Sequence, residues 1–223
     1  MAVVKIRCVV LISGRGSNLS AILKATQSAD YPAQIVGVIS NKAEAPGLQL
    51  ARDADISVSV LPNADYTDRA SYDQALQAAV DAYAPDLVIL AGFMRILTPE
   101  FVAHYAGRMI NIHPSLLPAF TGLHMHQRAL DAGVRIHGCT VHFVTAELDH
   151  GPMIVQAAVP VLQSDDARAL GARVLAAEHQ IYPRAVRWFA EQRLQIDGGR
   201  VRVEGSVADT DLLMAPVLDE TYE

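Results

Sequence analysis

Short apolar runs alternate with amphipathic stretches along the first half of the chain. Continuous apolar segments, typical of strands covered on both faces, occur at 6–12, 35–40, 58–61, 86–91 and 108–112. The stretches after residue 17, at 45–54 and at 68–83 carry apolar residues at helical spacing. Strands that alternate with helices predict right-handed crossovers and a mostly parallel, doubly wound α/β sheet.

The pattern changes after Pro114. Residues 133–145 and 153–161 both have strand character around a turn at 147–152, which predicts an antiparallel extension of the sheet. Residues 165–191 predict a long helix that Pro183 kinks or breaks. Gly198 and Gly199 then predict a hairpin over 194–203. Without an internal repeat or a linker, we expect a single domain over 1–205 and a weakly ordered tail over 206–223.

Composition narrows the class of protein. Hydrophobic residues make up 51% of the chain and charged residues 19%, which favours a globular protein over a disordered one. The net charge of -6 disfavours a wholly basic nucleic-acid-binding surface, and no apolar run approaches the roughly 18 residues of a membrane span. The start lacks a signal peptide, and Cys8 and Cys139 make no disulfide framework. We therefore expect a cytoplasmic protein that binds neither nucleic acid nor membrane, with a homodimer left open.

A glycine loop follows the first strand. Residues 14–18, Gly-Arg-Gly-Ser-Asn, lie where helix-terminal N–H groups can bind a phosphate, and Ser17 or Asn18 can cap the helix or reach the anion. Leu19 stands where a dinucleotide fingerprint needs its third glycine, and no Gly-Lys-Ser/Thr follows. The loop therefore disfavours a nicotinamide dehydrogenase and a P-loop, and an ordinary tight turn remains the alternative to a phosphate site.

A polar cluster follows the apolar run at 108–112. Asn111 and His113 lie two residues apart in an extended segment, so they share a face at the carboxyl end of a strand, where open α/β sheets bind ligands. An amide and an imidazole there can donate two hydrogen bonds to one oxygen, as an acyl-transfer oxyanion needs. Asp149, in the later turn, is a candidate partner because a carboxylate stabilises a protonated imidazole and can relay a proton. A structural histidine and a simple turn aspartate are the alternatives.

Other polar residues give weaker signals. His124 and His126 have no third ligand at a recognisable spacing, so no metal site is expected. His142 can face a pocket, although a core or surface position is favoured. Glu178 lies in an apolar helical pattern, where a buried carboxylate needs a partner and a solvated face is the alternative. The chain has no Gly-x-Ser-x-Gly motif, which disfavours covalent catalysis.

Five blocks in combination resemble the folate-dependent formyltransferase family. They are ISGRGSN at 12–18, LAGFMRIL at 90–97, NIHPSLLP at 111–118, HGCTVHFV at 137–144 and LDHGP at 148–152. The resemblance covers about residues 5–194. The third block with a later Asp marks the whole superfamily, whereas the glycine loop marks its ribonucleotide-using branch.

The resemblance implies transfer of a formyl group from 10-formyltetrahydrofolate to the amine of glycinamide ribonucleotide, in purine (IMP) biosynthesis, with folate as co-substrate and no metal. It assigns catalysis to Asn111, His113 and Asp149. It places the ribonucleotide phosphate on Gly16, Ser17 and Asn18, and its glycinamide or ribose end on Glu178. It assigns folate contacts to Arg69, Met94, Arg95, Ile96, Leu97 and Asn111. Ala119, Thr121 and His150 depart from the family's common pattern.

Rival functions come from the same superfamily and from outside it. A formyltetrahydrofolate hydrolase uses the same three residues with water as acceptor, but commonly adds an N-terminal regulatory domain that residues 1–7 cannot supply. A methionyl-tRNA formyltransferase adds a C-terminal barrel, for which the segment after Arg193 is too short. A non-catalytic nucleotide-binding module is the alternative of another class, and the co-occurrence of Asn111, His113 and Asp149 argues against it.

Overall fold

The computed structural model describes residues 4–205, which form a seven-stranded sheet and a separate hairpin. The strands are β1 (Ile6–Ile12), β2 (Ala33–Ser40), β3 (Val58–Val60), β4 (Leu87–Leu90), β5 (Met109–His113), β6 (Ile136–Phe143), β7 (Met153–Pro160), β8 (Leu194–Asp197) and β9 (Arg200–Val203). The helices are α1 (Ser17–Thr26), α2 (Gly47–Asp53), α3 (Arg69–Asp81), α4 (Pro99–His104), α5 (Met125–Asp131) and α6 (Ala167–Ala190), with a 3-10 turn at Asn63–Asp65.

The sheet has the order β3-β2-β1-β4-β5-β6-β7. Strands β1 to β5 pair in parallel, and β6 and β7 add an antiparallel extension. The predicted doubly wound, mostly parallel α/β sheet and its antiparallel extension are confirmed. Because the chain moves outward from β1 in one direction and from β4 in the other, the carboxyl ends of these two strands border a crevice at the switch point, where such sheets bind ligands.

Burial on both faces explains the continuous apolar runs. Along β1, Val10 and Ile12 face one core cluster with α1 and α6, whereas Val9 and Leu11 face another with α3. All four residues of β4 are buried. A strand covered on both faces needs apolar residues at every position, so these strands were predictable without any alternation.

Helix α6 excludes one of the two effects predicted for Pro183, a break in the helix. The helix continues from Ala167 to Ala190 with Pro183 inside it, so the predicted break is wrong. Tertiary hydrogen bonds hold the helix at the proline and at the residue before it. The Tyr182 hydroxyl donates to the carbonyls of Leu90 (2.8 Å) and Ile110 (3.2 Å), and the Tyr31 hydroxyl donates to that of Pro183 (2.6 Å). These contacts and the packing of α6 on the sheet outweigh the missing N–H of the proline.

Other elements match or extend the prediction. The hairpin of β8 and β9 is confirmed, with Gly198 at φ 58° in its turn. Helix α5 lies between 114 and 133, where the pattern predicted no element. No helix within residues 4–205 is long and apolar enough to cross a membrane. The predicted tail over 206–223 lies outside the described residues.

Candidate active site

Two loops meet at the carboxyl ends of β1 and β4. Ser13, which precedes the glycine loop, donates its N–H to the carbonyl of Gly92 (3.1 Å) and accepts the N–H of Met94 at its hydroxyl (2.8 Å). The same hydroxyl donates to Asn41 Oδ1 at 2.5 Å. The glycine loop and the segment 92–98 are therefore fastened to each other beside the end of β5, which carries Asn111 and His113.

The structure brings Asp149 next to His113. Their Oδ2 and Nδ1 atoms are 3.5 Å apart, and the two residues are only 9% and 6% exposed. On its other side, His113 Nε2 lies 3.1 Å from the carbonyl of Phe120, to which it donates because a carbonyl only accepts. Asp149 Oδ2 also accepts the N–H of Gly122 at 3.0 Å. The loop after Pro118 thus contacts both members of the pair.

The turn that carries Asp149 depends on Gly151. Asp149 itself adopts a left-handed φ of 57°. A Cβ on Gly151 would stand 1.7 Å from the carbonyl oxygen of Phe143, a contact that no side chain tolerates. The turn therefore lies directly against the end of β6, and the Asp149 carboxylate within it faces His113.

His142 contacts Asn111, a relation that sequence analysis did not identify. The antiparallel register places Asn111 opposite His142, and Asn111 Nδ2 lies 3.2 Å from His142 Nε2. The other nitrogen, His142 Nδ1, lies 2.9 Å from the Phe143 carbonyl and donates to it. Burial lowers the pKa of His142 and keeps it neutral, so Nε2 accepts from the Asn111 amide. Only the β5–β6 register reveals this pair.

Asn111 and His113 both have hydrogen-bond acceptors within the protein. Both side chains lie on one face of β5, but here they donate to His142 and Phe120 rather than to one shared oxygen. The amide of Asn111 has a second N–H for a ligand. The Nε2–H of His113 is already donated to the Phe120 carbonyl, with which a ligand oxygen would compete. The loop after Pro118 therefore accepts the hydrogen bond of one of the two candidate oxyanion donors, His113.

The glycine loop begins α1 without a side-chain cap. Gly16 is the N-cap residue with φ 74°, and no side chain caps the helix, so of the two roles considered for Ser17 and Asn18 the structure excludes the cap and leaves the anion contact as a prediction. A Cβ on Gly16 would lie 2.8 Å from Gly47 Cα, so both conformation and packing require glycine. Without a side-chain cap, the first-turn N–H groups of α1 can receive an anion.

Asn18 instead contacts Glu178, and the two side chains link α1 to α6. Its Nδ2 donates to Glu178 Oε2 at 2.6 Å, and both residues are buried. Glu178 therefore has the partner that a buried carboxylate needs, and a solvated helix face is excluded. Burial raises the pKa of Glu178, and the hydrogen bond from Asn18 offsets part of this rise. The Oδ1 atom of Asn18 is buried without a partner among the described residues.

The residues expected to contact folate differ in exposure. Met94 and Ile96 are exposed apolar side chains, and Leu97 packs against the core. Arg95 lies with its Cζ atom 4.2 Å from the centre of the Tyr72 ring. Arg69 is exposed at the first position of α3. The segment 92–98 thus presents an apolar edge and one cation.

Two of the remaining histidines contact each other. His126 Nδ1 is 3.2 Å from His137 Nε2, and burial lowers the pKa of His137 to about 4. Residues 4–205 contain no group of three His, Cys, Asp or Glu side chains that could hold a metal ion. His124 is the N-cap residue of α5, and His150 is exposed beside Asp149.

Comparisons with known proteins show the family of this chain. The formyl transferase family matches residues 6–186. A relative from Escherichia coli, phosphoribosylglycinamide formyltransferase, is 50% identical over 208 residues, which cover 90% of this chain and 98% of that protein. The crystal structure of glycinamide ribonucleotide transformylase 1 from Symbiobacterium toebii matches with a TM-score of 0.87 and 50% identity, over 89% of this chain and 94% of that one.

A formyltetrahydrofolate deformylase shares the fold at a greater distance. The crystal structure of that protein from Pseudomonas syringae pv. tomato has a TM-score of 0.83 but 30% identity, over 89% of this chain and 66% of that one. The higher identity and the more complete overlap favour the transferase branch. The chain belongs to the formyl transferase family, and within it to the phosphoribosylglycinamide formyltransferases.

Proposed function

We propose that this enzyme transfers the formyl group of 10-formyltetrahydrofolate to the amine of glycinamide ribonucleotide, a step of purine (IMP) biosynthesis. One observation carries the proposal: a buried His113–Asp149 pair stands beside Asn111 at the sheet's switch point. The glycine loop and the segment 92–98 border the same crevice. The names of the relatives support these substrates.

The ribonucleotide occupies the glycine-loop side in this proposal. Its phosphate lies on Gly16, Ser17 and Asn18, because the start of α1 has N–H groups free of any side-chain cap. Glu178, placed against Asn18, receives the ribose or glycinamide end. This arrangement directs the amine towards the His113–Asp149 pair.

The folate donor occupies the other side. Met94, Ile96 and Leu97 offer an apolar edge to its rings, and Asn111 lies at the reacting end. Arg95 and the exposed Arg69 supply positive charge for the carboxylates of the donor's tail. Tetrahydrofolate leaves as a product, so the donor is a co-substrate.

The chemistry is direct acyl transfer. The amine attacks the formyl carbon, a carbon–nitrogen bond forms, and the carbonyl electron pair moves to oxygen. Asn111 and His113 donate hydrogen bonds to that oxyanion, and each such donor stabilises the transition state by about 3–4 kcal/mol. The bond to the folate nitrogen then breaks as that nitrogen gains the proton which the amine loses. Asp149 holds His113 in place and relays this proton, directly or through water.

The first experiment is a turnover assay with 10-formyltetrahydrofolate, followed by the folate absorbance. One sample contains glycinamide ribonucleotide and a control sample lacks it. We expect deformylation that depends on the ribonucleotide. Equal rates in both samples would mean that water is the acceptor, as in a hydrolase. No deformylation in either sample would favour a binding module.

A further inference from the structure

Two consecutive residues of α3 hold the irregular segment 92–98 against the core. The Tyr72 ring lies under the Arg95 guanidinium, with Arg95 Cζ 4.2 Å from the ring centre. The carboxylate of Asp73 accepts the N–H of Thr98 at 2.6 Å. Both α3 residues are buried. The segment is thus fastened at Arg95 by a ring face and at Thr98 by a hydrogen bond.

The Tyr72 ring is a rigid base for the guanidinium. The Tyr66 ring meets it edge-on, with ring centres 5.3 Å apart and planes at 88°, and Tyr72 is fully buried in the core. Burial raises the pKa of Tyr72 to about 12, while the positive charge of Arg95 opposes this rise. The Tyr72 hydroxyl is buried and has no partner among the described residues. Tyr72 therefore contacts Arg95 through the face of its ring, and its hydroxyl takes no part in this contact.

Arg95 has the environment of a cation prepared for an anionic ligand. Its Nε atom is buried without a hydrogen-bond partner in the described part of the chain, and the aromatic ring takes the place that a carboxylate usually fills. A guanidinium stacked on a ring keeps its terminal N–H groups for a carboxylate. The stack also restricts the rotamers of Arg95 before any ligand binds. Arg95 therefore loses less side-chain entropy on binding.

We propose that Tyr72 is a positioning residue for the folate donor: its ring holds the Arg95 guanidinium towards the anionic tail of the donor. Asp73 assists by fixing the far end of the segment at Thr98. This inference rests on the proposed function, because it assigns the tail to Arg95. It predicts that loss of the ring weakens binding of the donor's carboxylates and leaves the reacting groups unaffected.

The chain offers a matched control in a second arginine–tyrosine stack. Arg108 Cζ lies 4.8 Å from the centre of the Tyr105 ring, and Tyr105 is fully buried in the same core cluster as Tyr72. The Tyr105 hydroxyl donates to Asp81 and to the Gln77 carbonyl, both on α3, and no hydrogen bond among the described residues joins Tyr105 to the segment 92–98. A change at Tyr105 therefore disturbs the core to a similar degree without touching Arg95.

The experiment compares Tyr72→Leu, Tyr72→Phe and Tyr105→Leu with the unmodified protein, after circular dichroism and thermal unfolding show that each is folded. Each is assayed with 10-formyltetrahydrofolate and with a formyl donor that lacks the terminal glutamate. A cation–π contact of this kind corresponds to a change of about 2-fold to 30-fold. We expect Tyr72→Leu to raise KM for the complete donor within that range. KM for the truncated donor, KM for the ribonucleotide and kcat should stay unchanged.

Two comparisons complete the expected result. Tyr72→Phe should restore the wild-type KM, because the ring face remains, and Tyr105→Leu should change neither donor's KM. Equal rises for both donors, or the same rise in Tyr105→Leu, would overturn the proposal by showing a general loosening of the core. If Tyr72→Leu does not fold, Tyr72→Met takes its place, since methionine fills irregular space without a ring.

A failure of the proposed function is distinguishable from a failure of this inference. Absence of ribonucleotide-dependent turnover in the unmodified protein would overturn the proposed function alone. Titration of each protein with the complete and truncated donors, followed by intrinsic fluorescence, would then decide the inference. A selective loss of affinity for the complete donor in Tyr72→Leu supports it, and an unchanged ratio of the two affinities contradicts it.

Discussion

At the scale of single residues, the site depends on buried polar side chains that find partners from distant parts of the chain. His113 faces Asp149, Asn111 donates to His142, and Asn18 donates to Glu178. Each of these pairs joins residues from different elements. A buried polar group that loses its partner destabilises the folded protein. Substitutions that remove a single polar atom should therefore change stability or turnover measurably.

Removal of one group from the reacting centre should slow turnover without unfolding the protein. We expect Asn111→Ala or Asp149→Asn to lower kcat about 100- to 1000-fold, the usual effect of losing an oxyanion donor or its support. His150→Ala is the control, because His150 is the exposed neighbour of Asp149. The measurement is steady-state kcat in the ribonucleotide-dependent assay. An unchanged kcat in both site variants would refute the assignment.

The buried carboxylate of Glu178 should make stability depend on pH. Burial raises the pKa of the Glu178 carboxyl above the usual 4.5, so the folded state favours its protonated form. The stability that this group contributes is therefore lost as the pH rises through its folded-state pKa. Glu178→Gln is neutral at every pH and keeps an acceptor for Asn18. We therefore expect this variant to unfold at higher urea concentration than the wild type at pH 7. The difference should disappear near pH 4, and ribonucleotide KM should rise.

If the urea concentrations at which Glu178→Gln and the wild type unfold differed by the same amount at pH 4 and pH 7, the raised pKa would be contradicted. Asn18→Ala provides the complementary comparison, because it removes the hydrogen bond that offsets the burial of the carboxylate. It should lower stability most at pH 7, where the wild-type carboxylate carries more charge.

At the scale of elements, close backbone contacts determine where the functional loops lie. Gly16 of the glycine loop touches the start of α2, and Gly151 of the turn touches the end of β6. Neither position has room for a methyl group. The geometry of each loop is therefore set by the element on which it rests, and not by the loop's own sequence alone.

Gly151→Ala should displace the turn and with it Asp149. The added Cβ would stand 1.7 Å from the Phe143 carbonyl oxygen, so the backbone must move. We expect a loss of kcat comparable to that of Asp149→Asn, together with lower stability, because overpacking against fixed backbone typically costs about 1–3 kcal/mol. Gly199→Ala, where nothing lies within 4 Å, should behave as the wild type. Full activity in Gly151→Ala would show that the turn does not position Asp149.

At the scale of the whole molecule, several fully or partly buried histidines link folding to pH. Burial lowers the pKa of four of them, His126, His137, His142 and His179. A histidine kept neutral in the folded state contributes stability that is present above its unfolded pKa and is lost as pH falls. The acid side of the stability profile should therefore decline from about pH 6.5.

His137 should account for a large part of this acid sensitivity. Its pKa falls from 6.5 to about 4, which corresponds to roughly 3 kcal/mol lost between these two pH values. Urea unfolding of His137→Gln across pH 4–7 should show a shallower decline than the wild type. His150→Gln, at an exposed position, should keep the wild-type slope. Parallel profiles for wild type and His137→Gln would exclude this role.

Local sequence determined most of the elements. The continuous apolar runs predicted β1, β4 and β5 because strands buried on both faces need apolar residues throughout. Strand–helix alternation then predicted the parallel sheet and its switch point. The local preference of Pro183 predicted a kink or a break, and the helix does not break there, because Tyr182 and Tyr31 hold α6 through tertiary hydrogen bonds.

The sequence by itself determined the fold class, the glycine loop and the chemical types of the candidate residues, since periodicity and motif spacing are local properties. Only the tertiary structure decided their partners. The β5–β6 register placed His142 against Asn111, and the packing of α6 on α1 buried Glu178 against Asn18. The physical reason is that a hydrogen bond depends on atoms brought within about 3 Å. Folding makes such neighbours of residues as distant in sequence as Asn18 and Glu178, and no local pattern records that distance.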